Sequence, residues 1–194
     1  MTLTLDQART ILAKHCTEPH LLLHALAVSA AMGAMARHFG QDPDYWQAIG
    51  YLHDVDYQAY PEEHCQHVAE LLEPEGVSPD TIRAIVSHGW GLCSDVEPGS
   101  DLEKSLFTVD ELTGIVMATA LMRPTGISDL EGKSAMKKFK DKRFAAKCDR
   151  DVIQQGCRML GMELAQVMDL TIQGMRSEMA ALGLGPKEGS QPQP

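Results

Sequence analysis

The chain has 194 residues, the size of one ordinary domain with a full apolar core. Its 27 acidic and 17 basic residues give a net charge of −10, which argues against broad binding to nucleic-acid polymers or to anionic membranes. The five cysteines are scattered without a CxxC pair, and no apolar run approaches the roughly 18 residues of a membrane span. We therefore expect a soluble, cytoplasmic protein with reduced thiols.

Apolar residues recur at helical intervals along most of the chain, and no period-two alternation indicates a strand. Several of the predicted helices begin at capping residues or prolines, and several end near glycine or proline. In chain order they span about residues 5–14, 19–38, 44–52, 64–73, 79–88, 102–122, 149–160 and 162–182. We predict an all-α single domain of about seven to nine helices over residues 1–182, and a disordered tail rich in Gly, Pro, Gln and Ser over 183–194.

Ionisable residues interrupt the apolar helices at three points. His24 lies inside the apolar second helix, the pair His53-Asp54 ends the third, and Asp110 lies near the middle of the 102–122 helix. Taken singly, His24 fits a core histidine bonded to a backbone carbonyl, and Asp110 fits the cap of a helix break. A buried unpaired carboxylate costs several kcal/mol, however, and one metal ion would satisfy all four groups together.

This pattern resembles the HD-domain superfamily of metal-dependent phosphohydrolases, in which the same residue types occur in the same order. The resemblance extends to small bacterial HD proteins of the HDIG type. Those proteins carry a histidine before an Ala-Glu-Leu-Leu run, here His64, and another at the end of the next helix, here His88. They also share segments that look like residues 110–114 and 133–146. The resemblance covers about residues 10–182 and implies an HD-type helical bundle.

The resemblance implies a site for one or two divalent transition-metal ions per chain. The predicted ligands are His24, His53, Asp54, His64, His88 and Asp110. Asp54 would bridge two ions, of which His64 and His88 hold the second. His67, three residues after His64 on the same helical face, is an alternative ligand. Imidazole and carboxylate ligands suit Fe, Mn, Co, Ni or Zn.

The implied reaction is hydrolysis of a phosphoester bond in a small phosphorylated metabolite by metal-activated hydroxide. A nucleotide or cyclic nucleotide is the favoured substrate. The pair His53-Asp54 is assigned to catalysis together with Glu111, which is either a general acid or base or a plain helix carboxylate. Two other functions stay open: a di-iron HD-type oxygenase, and a nucleotide-binding sensor without turnover. The expected partners are the small phosphorylated substrate and a second copy of the chain in a homodimer.

Six positive charges are concentrated in residues 133–143 of this otherwise acidic chain. Such a run is either a solvated helix face or a site for the phosphate of the substrate. The candidates for binding that phosphate are Lys133, Lys137 and Lys140, at intervals of four and three residues, and Arg123 at the end of the preceding helix.

Overall fold

The computed structural model describes residues 2–187 of the chain, and this part folds into nine α-helices without a strand. The all-α prediction is therefore confirmed. The helices are α1 (Leu5–His15), α2 (Pro19–His38), α3 (Pro43–Leu52), α4 (Val68–Leu72), α5 (Pro79–Val86), α6 (Asp101–Leu121), α7 (Gly132–Lys140), α8 (Arg150–Leu160) and α9 (Leu164–Ser177). Three single turns of 3₁₀-helix, Pro61–Glu63, Glu73–Glu75 and Ser87–Gly89, lie between them.

Local sequence explains where several helices begin. Thr4 forms a capping box with Gln7 at α1, and Ser100 forms one with Glu103 at α6. At α5 the Ser78 side chain accepts a hydrogen bond from a backbone N–H of the first turn, and Pro79 follows at the first helical position. These caps satisfy backbone N–H groups that have no partner inside the helix.

Helix α2 is the central element of the bundle and packs against α3, α6 and α9. Its length and apolar composition would suffice to cross a membrane, but most of it is buried inside the fold. A helix buried by its neighbours in this way is typical of the core of a soluble protein. Helix α9 approaches α2 closely at Gly174, where a Cβ atom would lie 2.2 Å from the carbonyl oxygen of Ala30.

Helix α4 begins at Val68, four residues later than the predicted start of this helix. The segment before it turns at Cys65, whose φ of 70° lies in the left-handed region. Residues other than glycine rarely adopt that conformation, and it cannot continue a right-handed helix. His64 and His67 therefore do not share the helical face that the sequence predicted.

The chain continues beyond the predicted end of the domain into a packed segment. Leu184 is buried, and its carbonyl accepts a hydrogen bond from the backbone N–H of Ile127 at 2.9 Å. Lys187 donates its backbone N–H to the carbonyl of Pro124 and its Nζ to the carbonyl of Leu121. Leu184 and Lys187, both assigned to the tail, thus form hydrogen bonds with the end of α6 and the loop after it. Residues 188–194 of the predicted tail lie outside the described residues.

Candidate metal centre

The six predicted metal ligands come from five separate parts of the fold and lie in one cluster. Helix α2 carries His24, and α6 carries Asp110. His53 caps the C-terminus of α3 and is followed by Asp54. His64 lies in the turn before α4, and His88 lies in the 3₁₀ turn after α5. The cluster is therefore assembled mainly from helix ends, where adjacent side chains can converge on one point.

One half of the cluster joins the second, third and sixth helices. The Nε2 atom of His24 lies 3.1 Å from Nε2 of His53 and 2.9 Å from Oδ1 of Asp110. His53 Nε2 lies 3.3 Å from Oδ1 of Asp110 and 3.3 Å from Oδ1 of Asp54. Two imidazole nitrogens and two carboxylates thus surround a common centre.

The other half joins the two histidines of the 60–90 region. The Nε2 atoms of His64 and His88 are 3.0 Å apart. They lie 3.3 Å and 3.6 Å, respectively, from Oδ1 of Asp54. The Asp54 carboxylate therefore stands between the two halves and contacts both.

Hydrogen bonds at Nδ1 orient three of the four imidazoles. His53 Nδ1 donates to the carbonyl of Gly50 at 2.9 Å, and His88 Nδ1 donates to the carbonyl of Ile85 at 2.6 Å. His64 Nδ1 donates to the carboxylate of Asp56 at 2.8 Å. Because these acceptors hold a proton on Nδ1, each neutral ring presents the lone pair of Nε2 to the cluster.

Lone pairs that converge at about 3 Å repel one another unless a proton or a cation lies among them. Imidazole nitrogens with a fixed tautomer and carboxylate oxygens are the donors of transition-metal sites. Subsets of these side chains bring their donor atoms close enough together to bind one ion. The residues present therefore fit a divalent metal.

The electrostatics of the cluster favour positive charge at the imidazoles. Burial opposes the charging of His53, but the carboxylates of Asp54 and Asp110 raise its pKa well above the ordinary value. Burial likewise opposes a charge on His64, yet Asp54 and Asp56 raise its pKa to about 10. Burial also opposes ionisation of Asp54 and Asp110, but the imidazoles lower the pKa of both carboxyls. The same negative potential attracts a cation.

Sequence reasoning did not assign a role to Asp56. Its side chain is completely buried, and it accepts hydrogen bonds from His64 Nδ1 and from the backbone N–H of His67. The available signal was a second carboxylate two residues after Asp54, between an apolar residue and an aromatic one. A buried carboxylate that orients a metal-binding imidazole is a common supporting interaction in metal sites.

The structure brings His64, and not His67, to the cluster. Nε2 of His67 lies 2.7 Å from Glu63, its Nδ1 lies 3.0 Å from Glu70, and its ring stacks on Tyr60 with the ring centroids 3.8 Å apart. His67 thus belongs to a partly exposed group beside the cluster.

A cavity of about 510 Å³ opens beside the cluster. Besides five of the predicted ligands, its lining includes His20, Leu21, Tyr57, Gly89, Leu92, Cys93, Glu111, Gly114, Lys147, Cys148 and Val152. Glu111 accepts a hydrogen bond from the backbone N–H of Asp149 at 2.8 Å, and burial together with the charge of Asp110 raises its pKa. The predicted catalytic carboxylate therefore lies in the cavity wall.

The four residues predicted to bind the substrate phosphate do not line this cavity within the described part of the chain. The side chains of Lys133, Lys137 and Lys140 are exposed, because α7 buries its opposite side, which carries Ala135 and Phe139.

Arg123 instead pairs with Asp129 at 2.7 Å. Among the described residues, Lys147 is the one lysine or arginine in the lining, and sequence reasoning did not single it out. It lies outside the 133–143 run, in the bend before α8.

An all-helical bundle with clustered histidines and carboxylates beside an open cavity defines a metal-binding helical domain. Residues 21–92 match the family model described as the HD domain, which confirms the predicted resemblance to the HD-domain superfamily but not to its HDIG subtype. Asp110 lies beyond the matched segment. HD domains are typical of metal-dependent phosphohydrolases and bind divalent metals. Neither a curated protein nor a solved structure matches the chain.

Proposed function

We propose that this protein hydrolyses a phosphoester bond of a small phosphorylated metabolite, with a nucleotide or cyclic nucleotide as the substrate class. The convergence of six candidate metal ligands in one cluster, with Asp54 between its two halves at the wall of an open cavity, carries this proposal. The HD-domain match supports the same class of reaction.

Two groups of ligands would hold the metal. His24, His53 and Asp110 form the first group, and His64 with His88 forms the second, while Asp54 is shared between them. When bound, divalent ions would polarise the phosphoryl group and lower the pKa of a water molecule enough to make it nucleophilic at neutral pH. The small bacterial HDIG subtype is the branch of the family that this ligand set favours.

The remaining polar side chains of the cavity have roles in binding and proton transfer. Lys147 would hold a non-bridging phosphate oxygen through its ammonium group, in place of the lysines of α7. Glu111 would transfer a proton to the leaving-group oxygen, because burial favours its protonated form. Its hydrogen bond from the backbone of Asp149 fixes the carboxyl in the wall.

The size and the apolar part of the cavity support a compact substrate. Its volume of about 510 Å³ lies within the roughly 300–1,000 Å³ of small-molecule sites. Leu21, Tyr57, Leu92 and Val152 add apolar surface to the lining, and Leu92 is 63% exposed. Such a surface suits the flat face of a nucleobase beside a phosphate.

The test combines elemental analysis of the purified protein with a substrate panel. Phosphomonoesters, nucleotides, dinucleotides and cyclic nucleotides would be incubated with added Mn, Ni or Co, and released phosphate or nucleoside measured. We expect one to two transition-metal ions per chain and turnover of one panel member. The Asp110→Ala variant is the matched control, because it removes a ligand and should lose both metal and turnover.

Three outcomes would contradict the proposal. Bound iron with substrate-dependent consumption of O₂ and no hydrolysis would favour the oxygenase. Tight nucleotide binding without product at any metal loading would favour the sensor. A protein that takes up no metal after reconstitution would show that the cluster has another role.

A further inference from the structure

Two cysteines lie in contact beside the candidate metal centre. The Sγ atoms of Cys65 and Cys93 are 3.3 Å apart, although 28 positions separate the residues in the chain. Cys65 is buried, whereas Cys93 is partly exposed and lines the cavity. An oxidant that enters the cavity therefore reaches Cys93 first and finds a second thiol directly behind it.

The backbone at Cys65 is specialised for this contact. Its φ of 70° is left-handed, a conformation that residues other than glycine rarely adopt. The turn at this position brings His64 into the metal cluster while Cys65 contacts Cys93. The two neighbouring residues thus serve two adjoining sites.

Gly89 provides the space that both sulfur atoms occupy. A Cβ atom at this position would lie 2.4 Å from Sγ of Cys93 and 2.7 Å from Sγ of Cys65, closer than real Cβ contacts. The carbonyl of Gly89 also accepts hydrogen bonds from the backbone N–H groups of Cys93 and Ser94, at 2.9 Å and 3.0 Å. The turn that follows His88 therefore fixes Cys93 against Cys65.

We infer that Cys65 and Cys93 form a reversible disulfide when a peroxide oxidises the protein. Because a disulfide bond is about 2.05 Å long, the sulfur atoms must approach by only about 1.2 Å. The bond would join the two segments that carry His64 and His88, the pair assigned to the second metal ion.

The reaction balances without any further reagent. The sulfur of Cys93 attacks one peroxide oxygen, the O–O bond breaks, and hydrogen peroxide yields a sulfenic acid at Cys93 and one water. The sulfur of Cys65 then attacks the sulfur of Cys93, which forms the S–S bond and releases the hydroxyl as a second water. Both sulfur atoms are oxidised and the peroxide is reduced, and a dithiol reductant reverses the change.

The experiment counts thiols in the full-length, Mn-loaded protein before and after exposure to hydrogen peroxide. We expect the number of titratable thiols, measured after denaturation, to fall by two from the five of the reduced chain. The intact mass should fall by two hydrogen atoms, peptide mapping should find Cys65 joined to Cys93, and dithiothreitol should restore both thiols.

Variants separate this pair from the other cysteines. Cys148→Ser is the matched control, because Cys148 also lines the cavity, and its loss should leave the disulfide unchanged. Cys93→Ser and Cys65→Ser should each keep all remaining thiols unpaired, with far-UV circular dichroism verifying the fold.

Two results would overturn the inference. One is a wild-type protein that keeps all its thiols at a peroxide concentration that oxidises free cysteine. The other is a cross-link that maps to a different pair of cysteines. Neither measurement depends on turnover, so a failure of the proposed hydrolase activity would be seen separately.

Discussion

Asp56 offers a direct test of how the fold prepares His64 to bind metal. Its buried carboxylate accepts from His64 Nδ1 at 2.8 Å and from the backbone N–H of His67 at 3.3 Å. Loss of a carboxylate behind a metal-binding histidine typically costs about 10–100-fold in metal affinity, or roughly 1.4–2.7 kcal/mol. Asp56→Asn retains an acceptor oxygen but loses the charge, so we expect a loss of about tenfold. Asp56→Ala loses both, so we expect about 100-fold.

The assay is calorimetric titration of metal-stripped protein with Mn²⁺, with circular dichroism to verify the fold. Glu70→Ala is the matched control, since Glu70 lies 3.0 Å from Nδ1 of His67, outside the cluster. The control should bind Mn²⁺ as wild type does. If Asp56→Ala weakens binding no more than Glu70→Ala, then the hydrogen bond to His64 does not prepare this ligand.

Three further predictions concern the metal site, the phosphate site and the stability of the fold. Asp54→Ala should abolish metal binding and activity but keep the helical signal in circular dichroism, because the core of the fold is apolar. Retained turnover would contradict the assignment of Asp54 to the site. Lys147→Ala should raise KM about tenfold with little change in kcat, whereas Lys137→Ala should leave KM unchanged. The reverse pattern would show that α7, and not Lys147, binds the phosphate of the substrate. Glu103, bonded to Arg83 and to two backbone N–H groups, has a pKa that these contacts lower despite burial. The contribution of the Glu103 carboxylate to stability is present above its unfolded pKa of about 4.3, and it is lost as pH falls through the lowered folded pKa. Urea unfolding should therefore find Glu103→Gln less stable than wild type by about 2 kcal/mol at pH 7, and nearly as stable as wild type in strong acid.

The order of helices and four of the six candidate ligands, His24, His53, Asp54 and Asp110, could be predicted from the sequence for a physical reason. Helical periodicity identifies buried faces, and a charged residue on such a face, as at Asp110, requires a partner. Those four could therefore be found without knowing how the helices pack, whereas His64 and His88 were implied only by the resemblance to the HD-domain superfamily. The choice between His64 and His67 was harder, because it depends on the left-handed backbone conformation of Cys65. Cysteine rarely adopts that conformation, so the sequence does not indicate a turn at this position.

Other parts of the site depend on contacts between distant segments, which the pattern of one sequence does not reveal. The contact between Cys65 and Cys93 arises only when the turn after α5 packs against the turn before α4. Lys147 lies in a segment of mixed charge with Asp149, Arg150 and Asp151, whereas the α7 lysines form a run of positive charge. The run of charges suggested a phosphate site, but the packing of α7 leaves its three candidate lysine side chains exposed to solvent.

The packed segment after Gly183 bears on how the protein should be produced. A chain ended at Leu182 would leave the buried N–H of Ile127 without the carbonyl of Leu184. It would also remove the hydrogen bond from Lys187 to Leu121, the last residue of α6, and the one to Pro124 in the loop that follows. Helix α6 carries Asp110. Purification tags and protease sites therefore belong after Lys187, and a shorter chain should lose metal affinity through a loosened end of this helix rather than through any missing ligand.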